Sequence, residues 1–205
     1  MGEVMNLFTV NGSAARIDGI FVLPNGTLSV LAGNFRTVSL ELSVPADQFS
    51  YRLAEPATAG EIPDVIINNL SEFQIARLDG IDLRLDDNAI GLASLGVLTA
   101  TSGSAVMLSF FNVRTNDNYF FQLGTSSVPQ PNDLESFRQF VSSIRGGNPV
   151  TQGPFAPNQP IAISAFANTT VSELSDDELV IGTNGQDLLT GDEGQDTLLG
   201  LDGND

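Results

Sequence analysis

The chain of 205 residues carries 25 acidic and 8 basic residues, a formal net charge of −17, with no cysteine, histidine or tryptophan. Every basic residue is arginine, and together with the lack of cysteine and histidine this excludes disulfides, thiolate and imidazole metal sites, Ser-His-Asp triads, Schiff-base lysines and P-loop lysines. The acidity argues against nucleic-acid and anionic-membrane partners and suits a soluble protein that binds cations, and a 41% hydrophobic content at this length supports one buried domain plus an appendage.

The N-terminal MGEVMNLFTVNG has neither the basic nor the apolar region of a secretory signal. No apolar run reaches the length of a membrane-spanning helix, so no membrane insertion is expected. Three dipeptides that accept the positive φ angles of type I′ turns then punctuate strand-like runs: Asn11-Gly12, Asn25-Gly26 and Asp79-Gly80. They predict hairpins in which Val10 pairs with Ser13, Leu23 with Leu28 and Leu78 with Ile81. Between them, RTVSLELSV alternates, with Val38, Leu40, Leu42 and Val44 on one side and Thr37, Ser39, Glu41 and Ser43 on the other. One buried and one wet face is the pattern of an antiparallel sheet. Residues 106–114 and 118–124 add aromatic-rich strands.

A single helix is predicted over about 132–145. Asn132 is its N-cap with Glu135 three residues on, and Gly146 is its C′ stop. Leu134, Phe137, Phe140, Val141 and Ile144 form an apolar stripe for packing on a sheet. Residues 146–160 read as an irregular connection, 161–167 as a last strand, and 168–178 as a polar lead-in. Residues 1–170 are thus an antiparallel β-sandwich domain with one packed helix, 171–181 a polar linker, and 182–205 a separate repeat segment.

That segment reads GTNGQDLLT, GDEGQDTLL, GLDGND. Gly182, Gly191 and Gly200 recur at nine residues, as do Gly185, Gly194 and Gly203, and Asp187, Asp196 and Asp205. Residues 146–205 hold ten acids and no base, so self-repulsion opposes compaction of the tail until a cation arrives. The spacing G-x-x-G-x-D-x-L-x resembles the nonapeptide of the RTX (repeats-in-toxin, hemolysin-type calcium-binding) family.

The resemblance covers residues 182–205 only. It implies a parallel β-roll, in which six residues turn and three form a strand, and Ca2+ as cofactor. It makes Asp187, Asp196 and Asp205 the side-chain ligands, with carbonyls from the turns 182–185, 191–194 and 200–203 and polar oxygen nearby from Asn184, Glu193 and Asp202. Such a set suits a hard cation that takes six to eight oxygens. Leu189 and Leu198 fill the thin core, and Thr183, Asp192 and Leu201 stand where the family has a second glycine, which raises turn strain. Alternate copies stack in a β-roll, so 182–187 would lie over 200–205, with 191–196 on the opposite edge. The family also implies a bacterial protein exported by type I secretion to the extracellular space or cell surface. The array stops inside its third copy, and the native polypeptide is expected to continue with further nonapeptides.

Two other features carry less. DGIDLRLDDN brings together Asp79, Asp82, Asp86, Asp87 and Asn88 but lacks EF-hand spacing, and reads better as a charged hairpin face with Arg77 opposite Asp82. The sequons at Asn11, Asn25, Asn69 and Asn168 read as turn chemistry. The sequence therefore points to a secreted calcium-binding protein acting as an extracellular adhesion, surface-layer or assembly module. Its partners would be calcium ions and other copies of itself or an extracellular surface ligand. The alternative is a secreted, calcium-stabilised hydrolase with an acid pair in the sandwich. A cleft of converging acids with raised pKa would favour the enzyme, and a flat apolar or edge-strand surface would favour assembly.

Overall fold

Two long strands organise the sheet: β1 (Asn6–Val22) and β2 (Leu28–Ser43) pair antiparallel from Phe8 opposite Leu42 to Val22 opposite Leu28. The computed structural model describes residues 5–24, 28–54, 63–84, 90–174, 179–186, 188–189 and 197–201. It divides the chain into two units, Leu7–Val171 and a second made of Met1–Asn6 with Ser172–Asp205. After β2 come the short strands β3 (Gln48–Phe49), β4 (Tyr51–Leu53), β5 (Val65–Ile67), β6 (Ile75–Leu78) and β7 (Ile81–Asp82). The longer strands β8 (Ile90–Ala100), β9 (Gly103–Asn112) and β10 (Asp117–Leu123) follow, then helix α1 (Leu134–Ser143), β11 (Ile144–Pro149), β12 (Ile161–Ala162) and β13 (Thr169–Glu173).

The main sheet has the order β11-β8-β9-β10-β1-β2-β6-β7, with β13 also beside β1. Every pair along that path is antiparallel. The alternation of RTVSLELSV is realised, since Val38, Leu40, Leu42 and Val44 are all buried. Ser43, expected on the wet face, is buried as well. The face bearing Val10, Leu40, Tyr119 and Phe121 is closed by two ribbons, β3 with β12 and β4 with β5. Phe49 stacks on Phe166 across this layer at 5.8 Å, and the Tyr51 hydroxyl donates to the Phe155 carbonyl at 2.8 Å. The fold is all-β, an antiparallel sandwich with one packed helix.

Helix α1 covers the other face. Phe137 is fully buried and meets Phe120 at 5.8 Å and Phe35 at 6.0 Å, and Phe140 meets Phe120 edge-on at 6.4 Å. The cap is Asp133 rather than Asn132. Asp133 Oδ1 accepts the Ser136 N–H at 2.7 Å, and Ser136 Oγ accepts the Asp133 N–H at 3.0 Å, a reciprocal capping box. The stop also differs: no glycine terminus forms, because Ile144 is already extended and Gly146 lies within β11, paired with Thr99 of β8. Sheet pairing thus captures the first residues of the expected irregular connection. The expected strand over 161–167 shortens to β12, followed by a 3-10 turn at Ile163–Ala165.

The hairpins correct the turn reading in part. Asp79-Gly80 is a two-residue turn with φ of 51° and 81°, and Leu78 pairs with Ile81 as expected. Asn11-Gly12 is not a turn, since both residues lie inside β1 and Val10 pairs with Leu40. The glycine serves packing instead: a Cβ at Gly12 would lie 2.5 Å from the Phe121 ring and 2.6 Å from the Phe120 carbonyl oxygen. In the hairpin between them, Val22 rather than Leu23 faces Leu28, while Asn25-Gly26 lies outside the described residues.

In the second unit, the Leu174 N–H donates to the Met5 carbonyl at 2.9 Å. Two short strands, β14 (Leu179–Ile181) and β15 (Thr197–Leu199), pair in parallel, with Val180 opposite Leu198. Among the described residues of this segment the parallel pair is what forms, and a β-roll is not shown.

The helix stripe yields a direct test. Phe137→Ala removes the side chain on which two other aromatic rings converge, and should cost about 3–5 kcal/mol against a total stability of roughly 5–15 kcal/mol. Urea unfolding followed by circular dichroism would show a large drop in midpoint at unchanged slope.

Candidate metal centre

The parallel pair sets out the start of the repeat segment. β14 delivers the chain to Gly182 and β15 delivers it to Gly200, so two of the expected turns leave neighbouring strands at the same end. The Gly182 N–H extends the ladder by donating to the Leu199 carbonyl at 2.7 Å. In the first turn, the Gly185 N–H donates to Thr183 Oγ1 at 3.2 Å, so a side chain folds the backbone where the family would use glycine. Asn184 and Gly185 are exposed, while Gly182 and Gly200 are half-buried.

The second position of the third copy tells the same story with strain. Leu201 has a φ of 57°, in the left-handed region where a Cβ crowds the following carbonyl at a cost of roughly 1–2 kcal/mol. The remaining expected ligands, Asp187, Gly191, Glu193, Gly194, Asp196, Asp202, Gly203 and Asp205, lie outside the described residues. Among the described residues no cluster of three or more metal-ligating side chains occurs. The donor chemistry open to the segment is nevertheless all oxygen, since the chain has neither cysteine nor histidine, and that suits Ca2+ rather than a softer metal.

The acidic hairpin at Asp79–Asp82 is built for arginine. Arg36 reaches Asp79 at 3.0 Å, Asp117 at 3.1 Å and the Tyr119 hydroxyl at 3.1 Å. It crosses β1 at Ala14, which faces Arg36 on one side and Tyr119 on the other and is too small to block it. Burial opposes the Arg36 charge, but the two aspartates outweigh it and raise its pKa. Asp82 does face Arg77 across the strands, yet its carboxylate is held by Arg84, Nε to Oδ1 at 2.9 Å and Nη2 to Oδ2 at 2.6 Å. Those bonds lower the Asp82 pKa to about 2. The clue in the sequence is the Asp82-Leu83-Arg84 spacing at the end of β7, where the chain turns and lets Arg84 fold back. Asp86, Asp87 and Asn88 lie outside the described residues.

Asp133, like Asp82, is lowered, here by the Ser136 backbone N–H. A cavity of about 40 Å³ between Phe49, Phe73 and Phe110 is wholly apolar, and larger clefts beside Gln139 and beside Ile66 also have linings free of carboxylates. Of the sequon asparagines, Asn69 accepts the Ser50 N–H at 3.3 Å and Asn168 adopts a positive φ, both acting in turns. Asn11 is an exposed strand residue, and Asn25 lies outside the described residues. No described helix is long and apolar enough to cross a membrane.

No protein-family model, no curated protein and no solved structure matches this chain.

Strain at Leu201 makes a prediction. Leu201→Gly restores the residue that the turn favours and should slow exchange of the Gly182 amide, which closes the β14–β15 ladder, about threefold to tenfold, since roughly 1 kcal/mol of strain is relieved. Hydrogen exchange of the two proteins side by side measures the shift.

Proposed function

We propose that the chain is a secreted calcium-binding protein whose repeats fold on Ca2+, and that it acts as an extracellular adhesion, surface-layer or assembly module. The observation that carries this reading is the register of β14 and β15. Their offset is eighteen residues at each paired position, two nonapeptides, which is the spacing that stacking of alternate copies requires. A Gly/Asp-rich tail without a repeat architecture has no reason to choose that spacing.

Electrostatics supply the calcium dependence. Stacked turns would bring aspartates of alternate copies to about the 4.8 Å spacing of neighbouring strands, where two charges repel by roughly 3 kcal/mol at an effective dielectric of 20. Burying a leucine such as Leu189 or Leu198 contributes only about 1.5–3 kcal/mol before conformational entropy is counted. A divalent cation between the turns reverses the sign of the electrostatic contribution.

The sandwich supplies the contact surface. The far end of the β1–β2 ribbon exposes Phe21, Val22, Leu23 and Leu31, with Val22 at 72%. Exposed apolar side chains at this end of a protein of net charge −17 support a binding role. Export to a medium rich in calcium, as the resemblance implies, completes the reading.

Isothermal titration and far-ultraviolet circular dichroism on the 205-residue chain test it. Saturable calcium binding at about 10⁻⁴–10⁻³ M with a gain of β signal is expected, with Asp187→Ala much weakened and Mg2+ unable to substitute. No heat and no spectral change up to about 10 mM calcium would overturn the proposal.

A further inference from the structure

The parallel pair also shows where the array begins. In the second copy the strand positions, seven to nine, are Thr197, Leu198 and Leu199. Their partners Leu179, Val180 and Ile181 fall at the same three positions of a nonapeptide one copy before the first glycine. That nonapeptide is ELSDDELVI, residues 173–181. Both turn glycines are absent from it, with Glu173 at the first position and Asp176 at the fourth. The rest of the pattern survives: Glu178 stands at the aspartate position, and Val180 stands at the large apolar position shared by Leu189 and Leu198.

We infer that residues 173–181 are the first copy of the array, its strand kept and its turn glycines lost, and that β14 is the template on which the later strands are laid. This rests on the repeat reading of the tail and changes its boundary, since residues 171–181 cease to be a linker. End copies of stacked-repeat proteins are commonly atypical because they meet a different neighbour on one side. The first strand of a coil also has the hardest task, since it must order with no strand beneath it, at roughly 1–2 kcal/mol of backbone entropy per residue.

Two features ease that task here. The Leu174 N–H donates to the Met5 carbonyl at 2.9 Å, so β14 starts only five residues after a hydrogen-bonded residue, which lowers the entropy cost of ordering the strand. The strand itself is Leu-Val-Ile, richer in β-branched residues than the Thr-Leu-Leu it pairs with. Losing glycine suits the same purpose, because glycine forfeits the most conformational freedom on ordering.

The test uses the full chain with Val180→Asp and the conservative Val180→Ile. Two readouts are followed: protection of the Gly182 amide from hydrogen exchange, since that N–H closes the ladder on Leu199, and the calcium midpoint. The wild type should protect Gly182. Val180→Asp, which places a carboxylate beside Leu198, should abolish that protection and raise the midpoint at least about tenfold, while Val180→Ile stays within about twofold. The thermal unfolding of the sandwich should be unchanged in both variants. An unprotected Gly182 in the wild type, or Val180→Asp with wild-type protection and midpoint, would overturn the inference. If calcium has no effect on the wild type, the calcium reading falls, while loss of Gly182 protection in Val180→Asp alone still upholds the template.

Discussion

The pairing of β1 with β2 is the constraint on which the sandwich depends. It runs from Phe8–Leu42 to Val22–Leu28, and each strand then carries a neighbour, β10 on β1 and β6 on β2. One face of this ribbon supplies Val10, Val38, Leu40 and Leu42 to the larger core. The other supplies Ala15, Val30 and Ala32 to the core beneath α1. A slip of one residue would exchange the two faces. It would bury Glu41 and separate Arg36 from Ala14, across which it now reaches Asp117 and Tyr119. The glycine at position 12 belongs to the same register, because it is where the Phe121 ring lies against the strand.

Much of this was legible in the sequence wherever one local force decided the outcome. Alternation along RTVSLELSV, the Asp79-Gly80 turn and the apolar stripe of α1 each depend on side-chain period or φ preference alone. Two of the failures share a cause, namely that a residue with a local preference was used for a distant contact. Gly12 reads as a turn residue and serves close packing. Gly146 reads as a helix stop and becomes part of an edge strand because β8 offers it a ladder. Asp133 caps in place of Asn132 because Ser136 supplies the reciprocal bond. In the tail the glycine period is plain in the sequence but β14 is not, since Leu179–Ile181 shows only β-propensity until its partner eighteen residues on is known.

Charge separates the two units in their chemistry. Within the sandwich, arginines neutralise the acids that come together: Arg36 takes Asp79 and Asp117, Arg84 takes Asp82, and Arg16 takes Asp18. Residues 146–205 have ten acids and no arginine. The proposed function assigns the neutralising of that segment to cations from solution, to which the nine-residue return of aspartate offers oxygen at regular intervals. The proposed module joins a body stabilised by apolar burial and internal ion pairs to a tail whose folding is left to the medium.

The central claim, that strands of alternate copies stack with β14 as the first, is tested most directly by crosslinking. The chain has no cysteine of its own, so paired substitutions Val180→Cys and Leu198→Cys report on one contact without interference. Neighbouring residues of paired strands fall within the roughly 4.4–6.8 Å Cα separation that a disulfide accepts. Mild oxidation of the 180/198 pair should give a rapid, near-complete intramolecular crosslink, while Val180→Cys with Leu189→Cys, one copy apart, should remain reduced. Preferential crosslinking of the 180/189 pair would contradict the account.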